Sequence, residues 1–507
     1  MANIKELREE RLGKIAEMVA LGFKPFVQTV DRSHTVAEAV SSLAELEGQT
    51  VTLAGRVDSV RLMGGINFLD LKDESGKIQV LVKKGATTSD PSTNAFDAEQ
   101  LKFIDGGDYI EVQGTLGLSK TGQQSLFASR VRLLSKAIRS LPDAHEGLKN
   151  IETRYRQRYV DIHINPEVHD VLRKRIAISK SMRNFLENHG FVEIETPILQ
   201  PIYGGASARP FTTHHNKLET DLFLRIADEL YLKRAIMSGF EKVYEIGHDF
   251  RNEGIDPSHN PEFTMLEFYW AYADYNDLMD MTEQMLEQVC MDVLGTTKVT
   301  YRDTELDFKA PLPRMTFYDA ITQESGVDIR GKSRDDMEAL CREHGVIAEY
   351  DKQPPLKDLI DEFFKTTTRP HLTGPMFLTD YPAVMKPLAK TRDDDATVSA
   401  SMQLVICGEE ILNAYNELND PAKQLANWKV EQEVLDAGAS DEAQPIDYDY
   451  IRALEYAMPP TAGWGMGIDR LTQVLTNQPS VKDTIMFPTL RPEEFDPTEF
   501  ENNIQAE

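Results

Sequence analysis

Cysteine is nearly missing: Cys290, Cys341 and Cys407 are the only three in 507 residues, and they stand far apart among apolar neighbours. That excludes a disulfide scaffold and a cysteine-based zinc site, and it predicts reduced thiols in a core. Positive charge is scarce as well, with 55 Lys and Arg against 83 Asp and Glu and a net charge of -28. An acidic chain repels a polyanion at long range, so any nucleic-acid contact has to come from a locally basic stretch. No apolar run approaches the ~20 residues of a membrane span, and residues 1–8 lack a signal-peptide core, so the chain reads as cytoplasmic with no membrane partner. The Walker spacing of glycines before Lys-Ser/Thr is absent too, so a phosphate site must be built another way. What remains, 41% hydrophobic and 27% charged residues, describes a globular protein of two or three domains with ample core.

The most informative stretch is Phe250-Arg251-Asn252-Glu253, followed after a turn-rich loop (Gly254 to Pro261) by Phe263-Thr264-Met265-Leu266-Glu267-Phe268-Tyr269. Strand alternation puts Phe263, Glu267 and Tyr269 on one face, so an aromatic ring, a carboxylate and a phenol line one surface. The unit reads as an antiparallel hairpin whose loop folds over a ligand, and an adenine ring, a triphosphate and an amino acid would fit those groups. The bland alternative makes Phe263 and Tyr269 core residues and Arg251 and Glu253 a surface ion pair. A second element, Gly463-Trp464-Gly465-Met466-Gly467-Ile468-Asp469-Arg470, has glycines at alternate positions that let a backbone or ligand approach closely. Arg470 then falls in the first turn of a helix running towards Thr476, where its charge and the helix N-terminus both suit phosphate.

Along the chain, Ile4 to Leu21 reads as an amphipathic helix with the stripe Leu7, Ile15, Met18 and Val19; Lys5, Arg8, Arg11 and Lys14 could add phosphate contacts. Strands are expected at Val51 to Asp58, Ile66 to Lys72, Lys77 to Val82, Tyr109 to Leu116 and Gln124 to Leu134, with a helical insert near Asn94 to Ile104. Five strands with a helix after the third suggest an OB-fold barrel, here bounded at 51–140, after a lead-in at 1–50. A basic run follows (Arg130, Arg132, Lys136, Arg139, Lys149, Arg154, Arg156, Arg158), partly in a linker at 141–160; it could contact nucleic-acid phosphates or simply be solvated. Asn165 can cap and Pro166 can start a long helix with the stripe Val168, Leu172, Ile176, Met182, Phe185 and Leu186, ending at Gly190. Strands and helices then alternate without regular βαβ repeats, which points to an antiparallel sheet and an α+β domain over 161–495. Within it, about 296–375 reads as a helical insertion, and 496–507 as an acidic tail.

Taken together these residues resemble the class II aminoacyl-tRNA synthetases. Arg251-Asn252-Glu253 with Phe263 is similar to the family's second motif, Gly463 to Arg470 to its third, and Gly190-Phe191-Val192-Glu193-Ile194-Glu195-Thr196-Pro197 to its first, which forms a dimer. The resemblance runs from about Arg56 to Pro492 and is closest to the bacterial lysyl branch. Arg154-Tyr155-Arg156-Gln157-Arg158-Tyr159, Thr213-His214-His215-Asn216 and Glu417-Leu418-Asn419-Asp420 are similar to it almost letter for letter.

The resemblance implies a lysine–tRNA ligase that forms lysyl-adenylate from lysine and ATP, with magnesium, and charges tRNA(Lys) as a homodimer. Arg251, Arg470 and Glu267 would be catalytic. ATP would be held by Arg251, Glu253, His259, Asn260, Phe263 and Arg470, with adenine stacked between Phe263 and Arg470. Lysine would be held by Gly205, Glu229, Glu267, Tyr269, Asn413, Tyr415 and Glu417, with Glu229 on the α-amino group and Glu417 on the side-chain ammonium. Two buried carboxylates need such an ammonium to stay ionised together. Phe68, Gln79 and Gln123 would read the anticodon, Gln123 standing where the family usually has Glu.

The metal positions depart from the family's pattern. Glutamates seven residues apart are expected, and this chain has Glu410 but Gln403 at the other place. A Gln carbonyl can ligate magnesium but brings no charge. In a regular strand Glu410 also has the opposite parity from Asn413, so a bulge is required for both to face one site. Two rival readings stay open: a lysine-type ligase that modifies a protein, and a catalytically silent RNA-binding relative.

Overall fold

The computed structural model describes residues 4–142, 148–346, 354–437 and 443–495; the expected acidic tail at 496–507 lies outside the described residues. The chain folds into two compact units that divide between Leu148 and Lys149. The first begins with α1 (Ile4–Ala20) and continues into strands β1 (Thr50–Leu62), β2 (Ile66–Lys72), β3 (Lys77–Lys83), β4 (Ala95–Phe96), β5 (Tyr109–Leu118) and β6 (Gln124–Ser135). Their order is β3-β2-β1-β5-β6-β4, and a parallel β3–β6 pairing closes the sheet into a barrel. Alternating residues such as Leu53, Val57, Leu69, Leu71, Val80, Val112 and Val131 fill it, as the period of two requires.

The expected helix near Asn94 to Ile104 is absent. Asp90 caps a three-residue 3-10 turn at Pro91–Thr93, Asn94 stops it with φ 59°, and only another short turn, Gln100–Phe103, follows. The stripe on α1 is half right: Met18 is buried but Val19 is exposed. Arg11, read as a phosphate contact, is instead buried and donates to the carbonyls of Gly106, Ala137 and Arg139, while Lys14 bonds Asp105.

The second unit holds α2 (Pro166–Asn188), β7 (Val192–Glu193), α3 (Glu229–Met237), β8 (Lys242–Phe250), β9 (Glu262–Ala271), α4 (Tyr275–Leu294), β10 (Arg314–Thr316), β11 (Met376–Thr379), β12 (Ser401–Ile406), β13 (Glu409–Asn416), β14 (Thr461–Gly467) and α5 (Ile468–Leu475). Eight strands form one sheet in the order β10-β11-β12-β13-β14-β9-β8-β7, antiparallel except at its two edge pairs. One face carries Leu266, Phe268, Leu404, Leu412, Ala414, Trp464 and Met466 against α2 and α4, a shared apolar core. The other face is left for the site.

Three local expectations change. Asn165 makes no side-chain cap, because its amide donates to Asp161, and Ile176 of the stripe is exposed. The stretch 150–160 is no linker: Ile151–Arg156 and Arg158–Ile164 are helices, and Arg158 is fully buried against Asp161. The segment 296–375 is not purely helical. Val299, Thr300 and Tyr301 favour an extended backbone, so it opens with the hairpin Lys298–Tyr301 and Thr304–Asp307, then supplies β10 before three helices close around Phe317, Ile321, Leu359 and Phe363. Cys290 and Cys341 are buried and free, as expected, and Cys407 is half-buried.

Candidate active site

The register of the sheet assembles the site. Glu245, Glu267, Gly465, Asn413 and Gln403 stand directly opposite one another on β8, β9, β14, β13 and β12. Directly opposed residues share a face, so this is one row across the sheet. The next row on that face is Val243, Tyr269, Gly463, Tyr415 and Ser401. The alternate glycines of β14 thus form a floor, with β9 and β13 as walls. Contact distances explain why they are glycines. A Cβ at Gly463 would meet Glu417 Oε1 at 2.0 Å and the Tyr269 ring at 2.5 Å, and one at Gly465 would meet Met265 at 3.0 Å and Glu267 at 3.4 Å. Glu417 and Glu267 therefore lie over successive glycines of the floor, one strand repeat apart.

Carboxyls crowd this face. Asp228, Glu229, Glu245, Asp249, Glu267 and Glu417 are all buried, against Arg225, Lys233 and the half-buried Arg251. Arg225 holds Glu245 at 2.6 Å and Asp249 at 3.0 Å. Lys233 ion-pairs with both Glu229 and Glu417. Burial alone would lower its pKa, but the two carboxylates outweigh that and keep it protonated. This corrects the expectation that Glu229 and Glu417 wait for a ligand's ammonium to balance them: a protein ammonium already does. Glu229 and Lys233 are four residues apart on α3, a spacing that could have revealed the pair. Lys233 engages Oε2 of Glu417, whereas Oε1 lies over Gly463 and accepts no hydrogen bond from any of the described residues.

The balance elsewhere is made by protons. Burial, with Glu229 and Asp249 nearby, pushes Glu267 up to about 8. Burial, then Glu267, raises Asp228 well above its usual range, and burial lifts Asp249 to about 6 against the pull of Arg225 and Arg251. Ligand oxygens of Asp228, Asp249 and Glu267 all lie within 4.8 Å of one another. Tyr269 donates to Glu267 at 3.0 Å, whereas neither carboxyl oxygen of Asp228 has a hydrogen-bond partner among the described residues. Asp228 and Asp249 were missed in the sequence, although Asp249 lies two and four residues beyond Gly247 and Glu245 on the same alternation.

The remaining expected residues gather around this floor. Tyr415 Oη donates to Glu229 at 3.0 Å, and Gly205, with φ 91°, donates its N–H to Gln444 at 3.1 Å, leaving 3.1 Å between its Cβ position and Glu229. Arg251 lies 5.0 Å from the Phe263 ring centre. Arg470, in the first turn of α5, donates to the Glu410 carbonyl at 3.0 Å and meets His259 Nε2 at 3.1 Å. Glu253 is exposed, and the buried Asn260 turns its amide back onto the Glu262 carbonyl at 2.6 Å.

Gln403 and Glu410 do come together, and by the required bulge: β12 and β13 slip register so that Leu404 faces Leu412 but Val405 faces Glu410. Their chemistry does not suit an ion held between them. Gln403 Nε2 donates to Glu410 at 2.7 Å, its Oε1 accepts from Tyr381 at 2.5 Å, and the Lys386 ammonium bonds Asn413 at 2.9 Å beside them. N–H groups and an ammonium repel a divalent cation, which needs oxygen lone pairs.

In the barrel, Gln79 and Gln123 line a cavity of about 350 Å³ with Asp70, Lys77 and Gln124. Phe68 is half-buried beneath Arg61, 5.7 Å from its ring. Five of the eight residues of the basic run are ion-paired within the protein, Arg132 on Glu111, Lys136 on Asp105 and Asp108, Arg154 and Arg158 on Asp161 and, at the surface, Arg156 on Glu152, while Arg139 and Lys149 are exposed.

Comparison with known proteins follows the same division. Residues 150–491 match the family of class II tRNA synthetases (D, K and N), and residues 51–134 match the OB-fold nucleic acid binding domain. The chain is 45% identical to a lysine–tRNA ligase of Clostridium botulinum over 96% of each chain. It is 43% identical to those of Pelotomaculum thermopropionicum, over 97% of this chain and 96% of the relative, and Roseiflexus castenholzii, over 97% and 100%.

Proposed function

The chain belongs to the class II tRNA synthetases (D, K and N), and from that premise we infer that it is a lysine–tRNA ligase. The observation that carries lysine is the placing of two carboxylates, Glu267 over Gly465 and Glu417 over Gly463. Two residues of strand rise separate the two glycines beneath them by about 6.6 Å, a span that the α-carbon and four methylenes between lysine's two ammonium groups can bridge. The surplus of buried carboxyls disfavours aspartate, which would add charge of the same sign.

Lysine lies along the floor with its side-chain ammonium on Glu417 Oε1 and its α-amino group towards Glu229 and Glu267; Gly205, Tyr269, Asn413 and Tyr415 complete the walls. Its carboxylate oxygen attacks the α-phosphorus of ATP, forming lysyl-adenylate and releasing pyrophosphate. A terminal hydroxyl of tRNA(Lys) then takes the lysyl group and releases AMP. Catalysis is mainly alignment and charge stabilisation. Arg251 bridges carboxylate and α-phosphate, Glu253 accepts from the adenine amine, Phe263 stacks on the ring, and Arg470, His259 and Asn260 serve the phosphates. Magnesium bound to ATP would add neutralising charge on the triphosphate, but Gln403 and Glu410, already hydrogen-bonded to each other, would not hold it between them.

The barrel presents Phe68, Gln79 and Gln123 to the anticodon, Phe68 by stacking and the two amides by hydrogen bonds. Ile176, Val192, Ile198 and Leu199 are exposed on and just after α2, which supports a homodimer through that surface. A dimer mass by light scattering at micromolar concentration is expected; a monomer mass counts against it. Among the described residues no helix is long and apolar enough to cross a membrane, and the cytoplasm, where tRNA is charged, is the proposed location.

Lysine-dependent ATP–pyrophosphate exchange tests the reading. Faster exchange with aspartate or asparagine would overturn the choice of lysine, and no exchange with any amino acid would favour a silent RNA-binding relative.

A further inference from the structure

We propose that Lys386 binds the triphosphate of ATP, and that its ammonium is a built-in cation doing the work of an ion for which Gln403 offers no charged ligand. The inference rests on the ligase reading and adds a residue to its reaction centre.

Position is the first support. Lys386 follows the 3-10 turn Ala383–Met385, and its ammonium donates to Asn413 Oδ1 at 2.9 Å. Asn413 stands directly opposite Gly465 on one side and Gln403 on the other. The ammonium is thus anchored one strand from the glycine floor. Glu410, hydrogen-bonded to Gln403, offers its backbone carbonyl to Arg470, so the Lys386 cluster and the arginine of α5 meet at one residue.

Unmet charge is the second. Among the described residues no carboxylate comes within 4 Å of the Lys386 ammonium; its near partners are the neutral Asn413 amide and the Tyr381 ring, 4.9 Å away. Burial lowers its pKa, and Glu410 and Asp361 oppose that only in part. A lysine held so has two N–H donors for an anion and lacks a counter-charge. This differs from Lys233, which already has two carboxylates.

The third is the state of the neighbouring pair. Two carboxylates at positions 403 and 410 would repel each other unless a cation lay between them. Here the Gln403 amide donates to Glu410 and satisfies it without one. Reversing the amide would point Oε1 at Glu410, but Lys386 would still stand beside any ion placed there. Charge lost with a bound ion is therefore returned by a side chain, and the loss at 403 and the ammonium at 386 compensate each other.

The test is ATP binding by calorimetry on the full-length protein, first in EDTA and then over a magnesium series. Wild type should bind metal-free ATP, and Lys386→Met should bind it about ten- to a hundredfold more weakly, the range for a lost charge-assisted bond. Lys386→Arg should retain the affinity, which separates loss of charge from loss of fold. Gln403→Glu combined with Lys386→Ser should bind one more Mn2+ per ATP site than wild type, counted by electron paramagnetic resonance. Equal ATP affinities for wild type and Lys386→Met, or equal Mn2+ counts, would overturn the proposal. So would a Lys386→Met protein that loses affinity for lysine alone and not for ATP, because the ammonium would then serve the amino-acid carboxylate. Failure of wild type to exchange pyrophosphate with lysine would strike the ligase reading instead, leaving the ATP titrations to decide Lys386 separately.

Discussion

In the barrel, Lys136 sits fully buried between Asp105 and Asp108 at 2.6 and 2.8 Å, and Arg132 lies 3.0 Å from Glu111. Around the glycine floor of the second unit, six buried carboxyls face Arg225, Lys233 and a half-buried Arg251, and protons make up part of the difference. Both regions bury charge, but one is closed on itself and the other is not. A balanced cluster is structure; a cluster with a deficit states the sign and the place of a missing partner.

The sharpest way to break the contrast is to unbalance the barrel. Lys136→Met leaves the fully buried Asp108 without its cation, while Asp105 keeps Lys14, and should destabilise the barrel by about 3–5 kcal/mol in chemical denaturation. Lysine-dependent exchange by the molecules that remain folded should be unchanged. An unaltered denaturation midpoint would mean that the barrel charges are not paired as described.

Next in size is the matching change at the floor. Glu417→Gln removes the station over Gly463 and should weaken lysine binding by about 2–5 kcal/mol while leaving ATP affinity nearly intact. Unchanged lysine affinity in a titration would exclude Glu417 from the pocket. A smaller effect separates the two units by function: Phe68→Ala should weaken tRNA binding by about 1–3 kcal/mol, the worth of one stacked base, without touching pyrophosphate exchange. Slower exchange in that variant would tie Phe68 to the adenylation site rather than to RNA.

The gentlest probe is pH. Glu267, pushed up to about 8 by burial and then by Glu229 and Asp249, holds its proton in the free protein at pH 7. An ammonium beside it favours the ionised form, so lysine binding should release a proton. Affinity should rise with pH by up to about tenfold per unit below 8 and level off above it. Calorimetry at pH 7 in two buffers of different ionisation enthalpy checks this; heats that do not depend on the buffer would show that Glu267 is not the carboxyl that lysine meets.

Period and turn chemistry made the site's strands readable. Alternation placed Phe263, Glu267 and Tyr269 on one face, and the parity of Glu410 against Asn413 demanded the bulge that the register shows. Charge was less readable, because an arginine in a sequence does not say which acid it meets. Arg11 reaches the carbonyls of Ala137 and Arg139, and Lys136 reaches back to Asp108, so these two basic side chains are turned inward while Lys5, Arg139 and Lys149 stay exposed. The same long-range pairing hid Lys233, whose second partner, Glu417, lies far along the chain.

The floor of β14 also has a consequence for how selectivity could ever change. Its stations are carried by Glu267 on β9 and by Glu417 just after β13, so the distance between them is set by where those two neighbours of β14 hold their carboxyls over successive glycines, a ruler laid across three stretches of chain. Nor can the ruler be covered: a side chain at position 463 would collide with Glu417 and Tyr269, and one at 465 would crowd Met265 and Glu267. An analogue with one methylene fewer carries the same two charges but would come up short at one end. Discrimination among cationic amino acids is then a measurement of length, and revising it would require moving one of the two wall carboxyls along the floor.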